Sequence, residues 1–243
     1  HLAFWTGRDC ARIERLMRRS ALVREKWDSR DDYLTTRTIV GACSRSREVI
    51  KDKQLLQLLA LAAASELTDG EVESLTRGLQ NDLATLRDYF TQSTDPSGLK
   101  SEINVLRYLR SNCELRISES ASRYDSWRSI ATVAALGNGT VSAFEIPDRL
   151  FKPLRKLGIE IKIESEQQWL DRIRGSQSRV RWIGASATNA PDSPLASCEI
   201  AIYDQKPTES GYLELLPYFK EQAVTITAHR FGNPVRFIKS LEF

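Results

Sequence analysis

The sequence predicts an α/β protein with a mostly parallel, Rossmann-like sheet and flanking helices, preceded by a helical N-terminal segment. Strand-like and helix-like stretches alternate from residue 114 onward, which is typical of a parallel sheet covered on both faces. Residues 54–90 carry apolar side chains at helical spacing. The first 53 residues hold 13 Lys and Arg against 8 Asp and Glu, whereas the remaining residues hold 22 Lys and Arg against 24 Asp and Glu. Only the first segment therefore has the basic excess of a phosphate-contacting surface.

The N-terminal segment predicts a basic helix. Asp9 can cap a helix whose Ile13, Leu16 and Met17 form an apolar stripe. The candidate nucleic-acid contacts are the basic residues around that stripe and just after it: Arg12, Arg15, Arg18, Arg19, Arg24 and Lys26. Together with Trp5 and Trp27 they suit phosphate contact and base stacking. They also suit a solvated helix face above a tryptophan-containing core, and the composition favours this second interpretation.

A helical hairpin is predicted next. Residues 54–66 are apolar nearly all round, which predicts a buried helix. Thr68 and Glu71 form a capping-box pattern at the start of the second helix. The apolar positions of that second helix recur at helical spacing: Val72, Leu75, Leu79, Leu83, Leu86 and Phe90. Residues 91–100 then indicate a turn-rich linker.

The C-terminal part predicts alternating strands and helices. Strands are expected at 114–120, 140–146, 159–165, 179–185, 199–204 and 223–231, and helices at 124–137, 147–158, 166–173 and 212–222. In the last strand Val224, Ile226 and Ala228 should point one way, and Thr225, Thr227 and His229 the other. A terminal strand of this kind exposes an edge that needs a partner, either the sheet or a neighbouring subunit.

No cofactor or catalytic residue is predicted. The first strand-to-helix turn, "ESASRYDSW", has no glycine with which to cradle a pyrophosphate. The "GNG" at 137–139 follows a helix and is interpreted as its C-terminal cap. Cys113 and Cys198 stand at strand starts without a basic neighbour fixed by sequence, so both are expected to be inert. His229 is interpreted as structural or interfacial rather than as a base.

Metal and membrane sites are not expected either. The four cysteines are scattered, with no CxxC pair and no nearby histidine, so neither zinc nor a disulfide scaffold is predicted. No apolar run approaches bilayer length, and the N-terminus lacks a signal-peptide pattern. We expect reduced thiols in a cytoplasmic protein.

Residues 2–39 carry a first resemblance. "LAFWTG", "RLMRRSALVREKWD" and the closing "RTI" resemble the helix-bundle segment of phage- and plasmid-borne primase-polymerase and primase-helicase proteins. In that family the segment is an accessory to nucleotidyl-transfer and helicase domains. The resemblance implies nucleic acid as a partner of residues 8–30.

Residues from about 54 to the end carry a second resemblance. Residues 95–109 and 199–234 are similar to the C-terminal portion of the bifunctional proline dehydrogenase and pyrroline-5-carboxylate dehydrogenase, a proline-utilisation family with FAD and NAD as cofactors. There these residues form a Rossmann-like accessory domain and a terminal flap after the aldehyde dehydrogenase core, which holds the catalytic cysteine, glutamate and cofactor turn. The resemblance implies assembly roles for the flap residues Val224, Ile226, His229, Arg230 and Phe231.

Three regions and three hypotheses follow. The regions are a helical segment at 1–53, a helical hairpin at 54–98 and a Rossmann-like domain with its flap strand at 99–243. The leading hypothesis is a non-catalytic assembly module of a proline-catabolising glutamate-semialdehyde dehydrogenase, whose partner is an upstream aldehyde dehydrogenase domain or a second subunit. The alternative is a nucleic-acid-binding helical module with an α/β passenger. A third is a small-molecule domain with its ligand near residues 184–194, although the small and polar residues there favour an ordinary surface loop.

Overall fold

The computed structural model describes residues 10–20, 27, 34, 38–39, 52–99, 102–176, 178–184, 199–227, 229–230 and 233–234. Its helices are α1 Cys10–Arg18, α2 Lys53–Ala63, α3 Asp69–Thr85, α4 Arg123–Ala135, α5 Asp148–Lys156, α6 Glu166–Ile173 and α7 Gly211–Leu215. Its strands are β1 Glu102–Arg110, β2 Cys113–Ile117, β3 Gly139–Ala143, β4 Ile159–Ile163, β5 Arg179–Ile183, β6 Ala201–Tyr203, β7 Phe219–Thr227, β8 His229–Arg230 and β9 Asn233–Pro234. A π-helical turn, Leu86–Phe90, extends α3, and a 3-10 turn, Leu216–Tyr218, extends α7.

The predicted α/β class is confirmed by a five-stranded parallel sheet. Its order is β4-β3-β2-β5-β6, and every neighbouring pair runs parallel. The chain moves outward from β2 to β4, returns to the other side at β5 and ends at β6. This order reverses at β2, as in a doubly wound Rossmann-like sheet.

Local sequence signals set the helix ends. The predicted capping box of α3 is present: the Thr68 hydroxyl accepts from the Glu71 N–H at 3.3 Å, and the Thr68 N–H donates to the Glu71 carboxylate at 2.8 Å. Gly137, with φ +74°, lies just beyond α4, so the predicted capping role of "GNG" is confirmed. Helix α6 occupies the residues that the sequence predicted for it.

The main core lies on one face of the sheet. One apolar cluster runs from Leu55 in α2 through Leu79 in α3 and Leu115 in β2 to Phe219 in β7. The hairpin α2–α3 and the sheet therefore share a core, although the division of the chain into three regions stays a prediction. Alternate residues of β5 face the other way, where Val180 and Trp182 pack against α6.

The prediction that the α2 helix is buried all round was wrong. Leu55, Leu58 and Ala62 are buried, but Leu56 is 47% exposed. The helix lies at the outside of the layer and packs against α3, α4 and α5 along one side. Its composition therefore overstates its burial, because leucines are common on exposed helix faces as well.

The last predicted helix and strand needed correction. The expected helix at 212–222 ends early, and residues 219–222 belong to β7, which begins four residues before the predicted start. The sequence also gave no prediction of β1. The two strands pair antiparallel over nine residues, from Glu102 opposite Thr227 to Arg110 opposite Phe219. This β1–β7 ribbon is not part of the five-stranded sheet.

Aromatic packing explains the early start of β7. The Phe219 ring stacks on Phe90 with 4.4 Å between centroids, and Tyr108 of β1 meets Phe90 edge-on at 4.9 Å. Phe219 is anchored in this cluster, and the chain leaves the 3-10 turn in an extended conformation at that residue. A contact between residues so far apart in sequence overrides the local helical pattern.

Candidate functional site

The reversal of strand order at β2 is where a Rossmann-like sheet holds a dinucleotide. We call the space between the loops after β2 and β5 the strand-end crevice. The loop after β2 leads into α4, where the Ser122 hydroxyl caps the Asp125 N–H at 3.1 Å. That cap uses a side chain where a nucleotide-binding turn would present glycine backbone.

The two loops contact each other across the strand-end crevice. The Ser118 N–H donates to the Ile183 carbonyl at 2.9 Å, and the Ser120 hydroxyl donates to the Gly184 carbonyl at 2.6 Å. Gly184 has φ +78°, and a Cβ there would lie 2.6 Å from the backbone of Ala121. The loop after β2 therefore lies against Gly184, the first residue after β5, and we call the strand-end crevice closed at this contact. The contact supports the prediction of a sheet without a bound dinucleotide; that prediction has not been tested.

Polar residues line the sheet face beneath α6. The buried Arg116 donates to the Ser142 hydroxyl at 2.8 Å and to the Glu164 carbonyl at 3.1 Å, and its guanidinium lies over the Trp169 ring. Arg172 donates to the Glu164 carboxylate, and this hydrogen bond lowers the pKa of Glu164 below its usual value. These hydrogen bonds tie α6 to the sheet, although the buried Arg116 Nε has no hydrogen-bond partner within the described residues.

Two buried ion pairs join separate elements of the fold, and the first of them links the helical hairpin to the sheet domain. Arg128 of α4 makes a bidentate pair with Asp82 of α3 at 2.6 and 2.7 Å, and both side chains are fully buried. Arg128 also donates to the Thr208 carbonyl at 2.8 Å. A second pair, Arg181 with Glu214, lies 3.1 Å apart and is nearly as buried. Burial raises the pKa of Asp82, and the attraction of Arg128, which by itself lowers this pKa, offsets only part of the rise. These buried charges hold the helices and the sheet together.

The cysteine prediction agrees with the structure where it can be checked. Cys113 is a free thiol, 6% exposed, and its burial raises its pKa to about 12. A thiol in that state is a poor nucleophile at neutral pH. Cys198 lies outside the described residues. Within the described part of the chain, no group of three or more His, Cys, Asp and Glu side chains could hold a metal ion.

The β1–β7 ribbon carries the predicted flap residues. Val224 and Ile226 are half-buried, whereas Thr225 and Thr227 are exposed, which is the predicted alternation. His229 and Arg230 form the short strand β8, paired with Asn233–Pro234. Phe231 lies outside the described residues.

One edge of β7 has no partner among the described residues. β1 is paired on both sides, with β7 on one and with Thr94 on the other, through Leu106. β7 pairs only with β1 within the described part of the chain. A row of backbone N–H and C=O groups is therefore available along its outer edge.

The basic helix α1 presents its arginines outward. Arg12, Arg15, Arg18 and Arg19 are all exposed, and Arg18 pairs with Glu14 at 2.9 Å. Arg24 and Lys26, as well as Trp5, lie outside the described residues. A small apolar cluster lies under the helix, made of Ile13, Trp27, Leu34 and Ile39. Trp27 is therefore core, as the alternative interpretation expected, and is not available for base stacking.

Sequence reasoning missed three features of these surfaces: β1, the buried arginines and the closed crevice. The stretch "EINVLRYLR" is rich in β-branched and aromatic residues, which is the signal that could have indicated β1. No comparable signal marks Arg116, Arg128 and Arg181 as buried, because arginines are mostly exposed and the partner carboxylates lie far along the chain.

The fold thus defines an α/β protein with a Rossmann-like sheet in which, within the described residues, the loop after β2 contacts the residue that follows β5. Residues 1–52 match a protein family described as the NrS-1 polymerase HBD domain. Among solved structures, the chain is similar to Proline Utilization A (PutA) from Corynebacterium freiburgense, with 24% sequence identity and a TM-score of 0.47 over 77% of this chain and 16% of that chain. No curated protein matches.

Both resemblances predicted from the sequence are confirmed at this level. The family match covers the basic N-terminal segment only. The chain spans about one sixth of the length of that PutA, and a likeness this distant does not transfer an activity or a residue role. No helix in the described ranges has the length and apolar character needed to cross a membrane.

Proposed function

We propose that the α/β part of the chain, from residue 54 onward, is a non-catalytic assembly module of a proline-catabolising glutamate-semialdehyde dehydrogenase. The observation that carries this proposal is the β1–β7 ribbon, a two-stranded element outside the main sheet whose outer edge on β7 has no strand partner within the described residues. The sequence resemblance of residues 199–234 to the terminal flap of the proline-utilisation family supplies the biological context.

The partner that this edge suits is another strand. Addition of a strand to a free edge gains main-chain hydrogen bonds along its length, with little demand on side-chain identity. Charged and polar side chains protect free strand edges from nonspecific association. β7 carries three such exposed residues, Lys220, Glu221 and Thr225. The partner would be an upstream aldehyde dehydrogenase domain or a second subunit.

A turnover assay tests the non-catalytic half of the proposal. The purified chain is mixed with glutamate semialdehyde and NAD⁺, and NADH is followed by absorbance. We expect no rate above the protein-free control, because the strand-end crevice is closed and Cys113 is a buried, protonated thiol. Steady turnover by the chain alone would refute this half.

Two proline variants test the assembly half. Lys220 and Thr225 are exposed and an odd number of residues apart, so their N–H groups point to opposite edges of β7. We expect Lys220→Pro and Thr225→Pro to differ. The variant at the position whose N–H points to β1 should lower the melting temperature, because it removes a ribbon hydrogen bond. The variant at the position whose N–H points outward should keep the melting temperature of the wild type and abolish association.

Association is measured by sedimentation velocity of the chain alone and with an added aldehyde dehydrogenase domain of a proline-utilisation protein. Hydrogen exchange across residues 219–227 should slow upon association. A chain that stays monomeric and fails to bind the added domain would contradict the proposal, and so would association that neither proline variant affects.

A second candidate function is nucleic-acid binding by the N-terminal segment. It is favoured by four outward arginines on α1 and by the family match of residues 1–52. Phosphate contact releases counterions, so the affinity for single-stranded DNA should fall with salt, with a slope of about 0.7 per phosphate contacted.

Fluorescence anisotropy with a labelled single strand tests this candidate. We expect the combined reversals Arg15→Glu, Arg18→Glu and Arg19→Glu to remove binding. The matched control reverses the charge of three exposed basic residues of the α/β part, Lys152, Lys156 and Arg174. This control should leave the binding of the single strand intact. Equal loss in both triple variants would show a nonspecific charge effect and would rule out a site on α1.

A further inference from the structure

The five-stranded sheet ends on one side at β4, the strand Ile159–Ile163. Within the described residues β4 pairs only with β3, so its outer edge has no strand partner there. Burial decreases along the strand: Ile159 is buried, Ile161 is half-buried and Ile163 is 50% exposed. This edge belongs to the main sheet and is separate from the β1–β7 ribbon on which the assembly proposal rests.

The backbone groups on the outer edge of β4 belong to its three isoleucines. In a strand, the backbone N–H and C=O groups of alternate residues point to the same side. The Glu164 N–H, just after β4, donates to the Ala143 carbonyl of β3 at 3.0 Å. Two and four residues earlier, Lys162 and Glu160 therefore also direct their backbone groups to β3. The isoleucines between them direct their N–H and C=O groups outward, where a further strand would bind them.

The sequence of β4, "IEIKI", is complementary to itself in one antiparallel register. When two copies pair about a twofold axis at Ile161, Glu160 lies opposite the partner's Lys162, and Lys162 lies opposite the partner's Glu160. An axis at either neighbouring residue would instead place two lysines or two glutamates opposite each other. Opposite charges in facing positions stabilise a strand pair, whereas like charges there destabilise it. The two charges therefore select one register.

The same register suits the backbone and the apolar face. Because the backbone groups of Ile161 point outward, Ile161 and its counterpart in the partner exchange two main-chain hydrogen bonds. Glu160 and the partner's Lys162 then form a non-hydrogen-bonded pair, in which facing side chains approach more closely. On the other face of the sheet, the half-exposed Ile163 lies beside the partner's Ile159 and loses water contact.

Both charged side chains of β4 keep the capacity for such a contact. Glu160 is exposed and accepts one hydrogen bond, from the Thr140 hydroxyl at 3.3 Å. The Lys162 ammonium lies 3.9 Å from the Glu114 carboxylate, which is a long and weak ion pair. A carboxylate and an ammonium each have several hydrogen-bonding positions, so neither group is saturated by these contacts. Charges on an edge deter unrelated strands, but this pair of charges does not deter a second copy.

We propose that the outer edge of β4 is a self-association surface, on which a second copy of this chain binds as an antiparallel strand. The two five-stranded sheets then form one continuous sheet across the twofold axis. The edge is only five residues long, so we expect a reversible dimer that is populated at micromolar or higher concentrations.

Sedimentation velocity of the full chain over a range of concentrations tests the proposal by charge reversal. We expect a monomer–dimer equilibrium in the wild type. Lys162→Glu and Glu160→Lys should each weaken the dimer about tenfold or more, because each reversal turns both symmetric pairs into like-charge pairs; a tenfold loss is about 1.4 kcal/mol. An equimolar mixture of the two variants should associate again as a heterodimer, since every lysine then faces a glutamate. The chain with both reversals should dimerise as the wild type does.

The matched control is Lys206→Glu, an exposed lysine after β6 at the opposite end of the sheet, and it should dimerise as the wild type does. A wild-type chain that stays monomeric up to millimolar concentration would overturn the proposal. A mixture of the two variants that stays monomeric would overturn it as well, and so would a dimer that both single reversals leave unchanged.

The β4 and β7 edges are measured separately. In the Lys162→Glu protein the β4 pairing is absent, so association that remains there and responds to the proline variants of β7 reports on the assembly proposal alone. Binding of the added aldehyde dehydrogenase domain should be the same in the wild type and in Lys162→Glu. If Lys162→Glu abolishes that binding, the β4 edge belongs to that domain, and the proposal of a second copy is refuted.

Discussion

The glycine at position 78 is where the packing of α3 on α4 can be tested most directly. Gly78 lies in α3 opposite the buried Arg128, and a Cβ added there would lie 2.5 Å from Nε and 2.9 Å from Cζ of that guanidinium. Gly78→Ala therefore cannot be accommodated without moving Arg128. The shift would disturb the bidentate pair with Asp82 and the hydrogen bond to the Thr208 carbonyl.

The size of the effect follows from two opposing contributions. Disruption of a buried ion pair costs about 3–5 kcal/mol, whereas alanine is favoured over glycine inside a helix by about 1 kcal/mol. We expect Gly78→Ala to lower the free energy of unfolding by about 2–4 kcal/mol. For a domain of this size, each kcal/mol corresponds to roughly 2–4 °C in melting temperature.

The same helix supplies a matched control. Gly70 lies in the first turn of α3, is exposed, and has nothing within 4 Å of an added Cβ. Gly70→Ala should leave stability unchanged or raise it by up to about 1 kcal/mol. Both variants are measured by urea unfolding with tryptophan fluorescence and by thermal denaturation.

A double-mutant cycle isolates the cause. If the clash with Arg128 is responsible, Gly78→Ala should cost far less in an Arg128→Leu background, with a coupling of about 2 kcal/mol or more. A Gly78→Ala protein as stable as the Gly70→Ala protein would refute the reasoning, and so would a cost that is the same in both backgrounds.

Three further predictions concern the sheet. Because Arg172 lowers the pKa of Glu164, the carboxylate adds stability above its unfolded-state pKa and loses it as the pH falls through the folded-state value; Glu164→Gln should flatten that acid limb of urea unfolding. Gly184→Ala, at φ +78° and against the Ala121 backbone, should cost about 2–4 kcal/mol in the same assay, and no loss would contradict the closed crevice. The Cys113 thiol should react with iodoacetamide slowly in the folded protein and rapidly in urea, whereas fast native labelling would disprove its burial.

The elements with short-range signals were predictable from the sequence. The capping box of Thr68 and Glu71, the glycine after α4 and the whole of α6 depend on residues a few positions apart, so the sequence contains the interacting groups side by side. The parallel sheet followed from the alternation of strands and helices. The sequence likewise shows that the turn after β2 contains no glycine.

The ribbon was not predictable in this way. β1 and β7 lie more than a hundred residues apart, and the start of β7 depends on the stacking of Phe219 on Phe90.

The sequence by itself determined the class of fold, the two resemblances and the basic character of the first segment, because composition, periodicity and capping act over one or two helical turns. The tertiary structure alone decided which arginines are buried, which strand edge is left open and how the loops after β2 and β5 close the strand-end crevice. Those features depend on contacts between distant segments, and the free energy of such contacts exists only after the chain has brought the segments together.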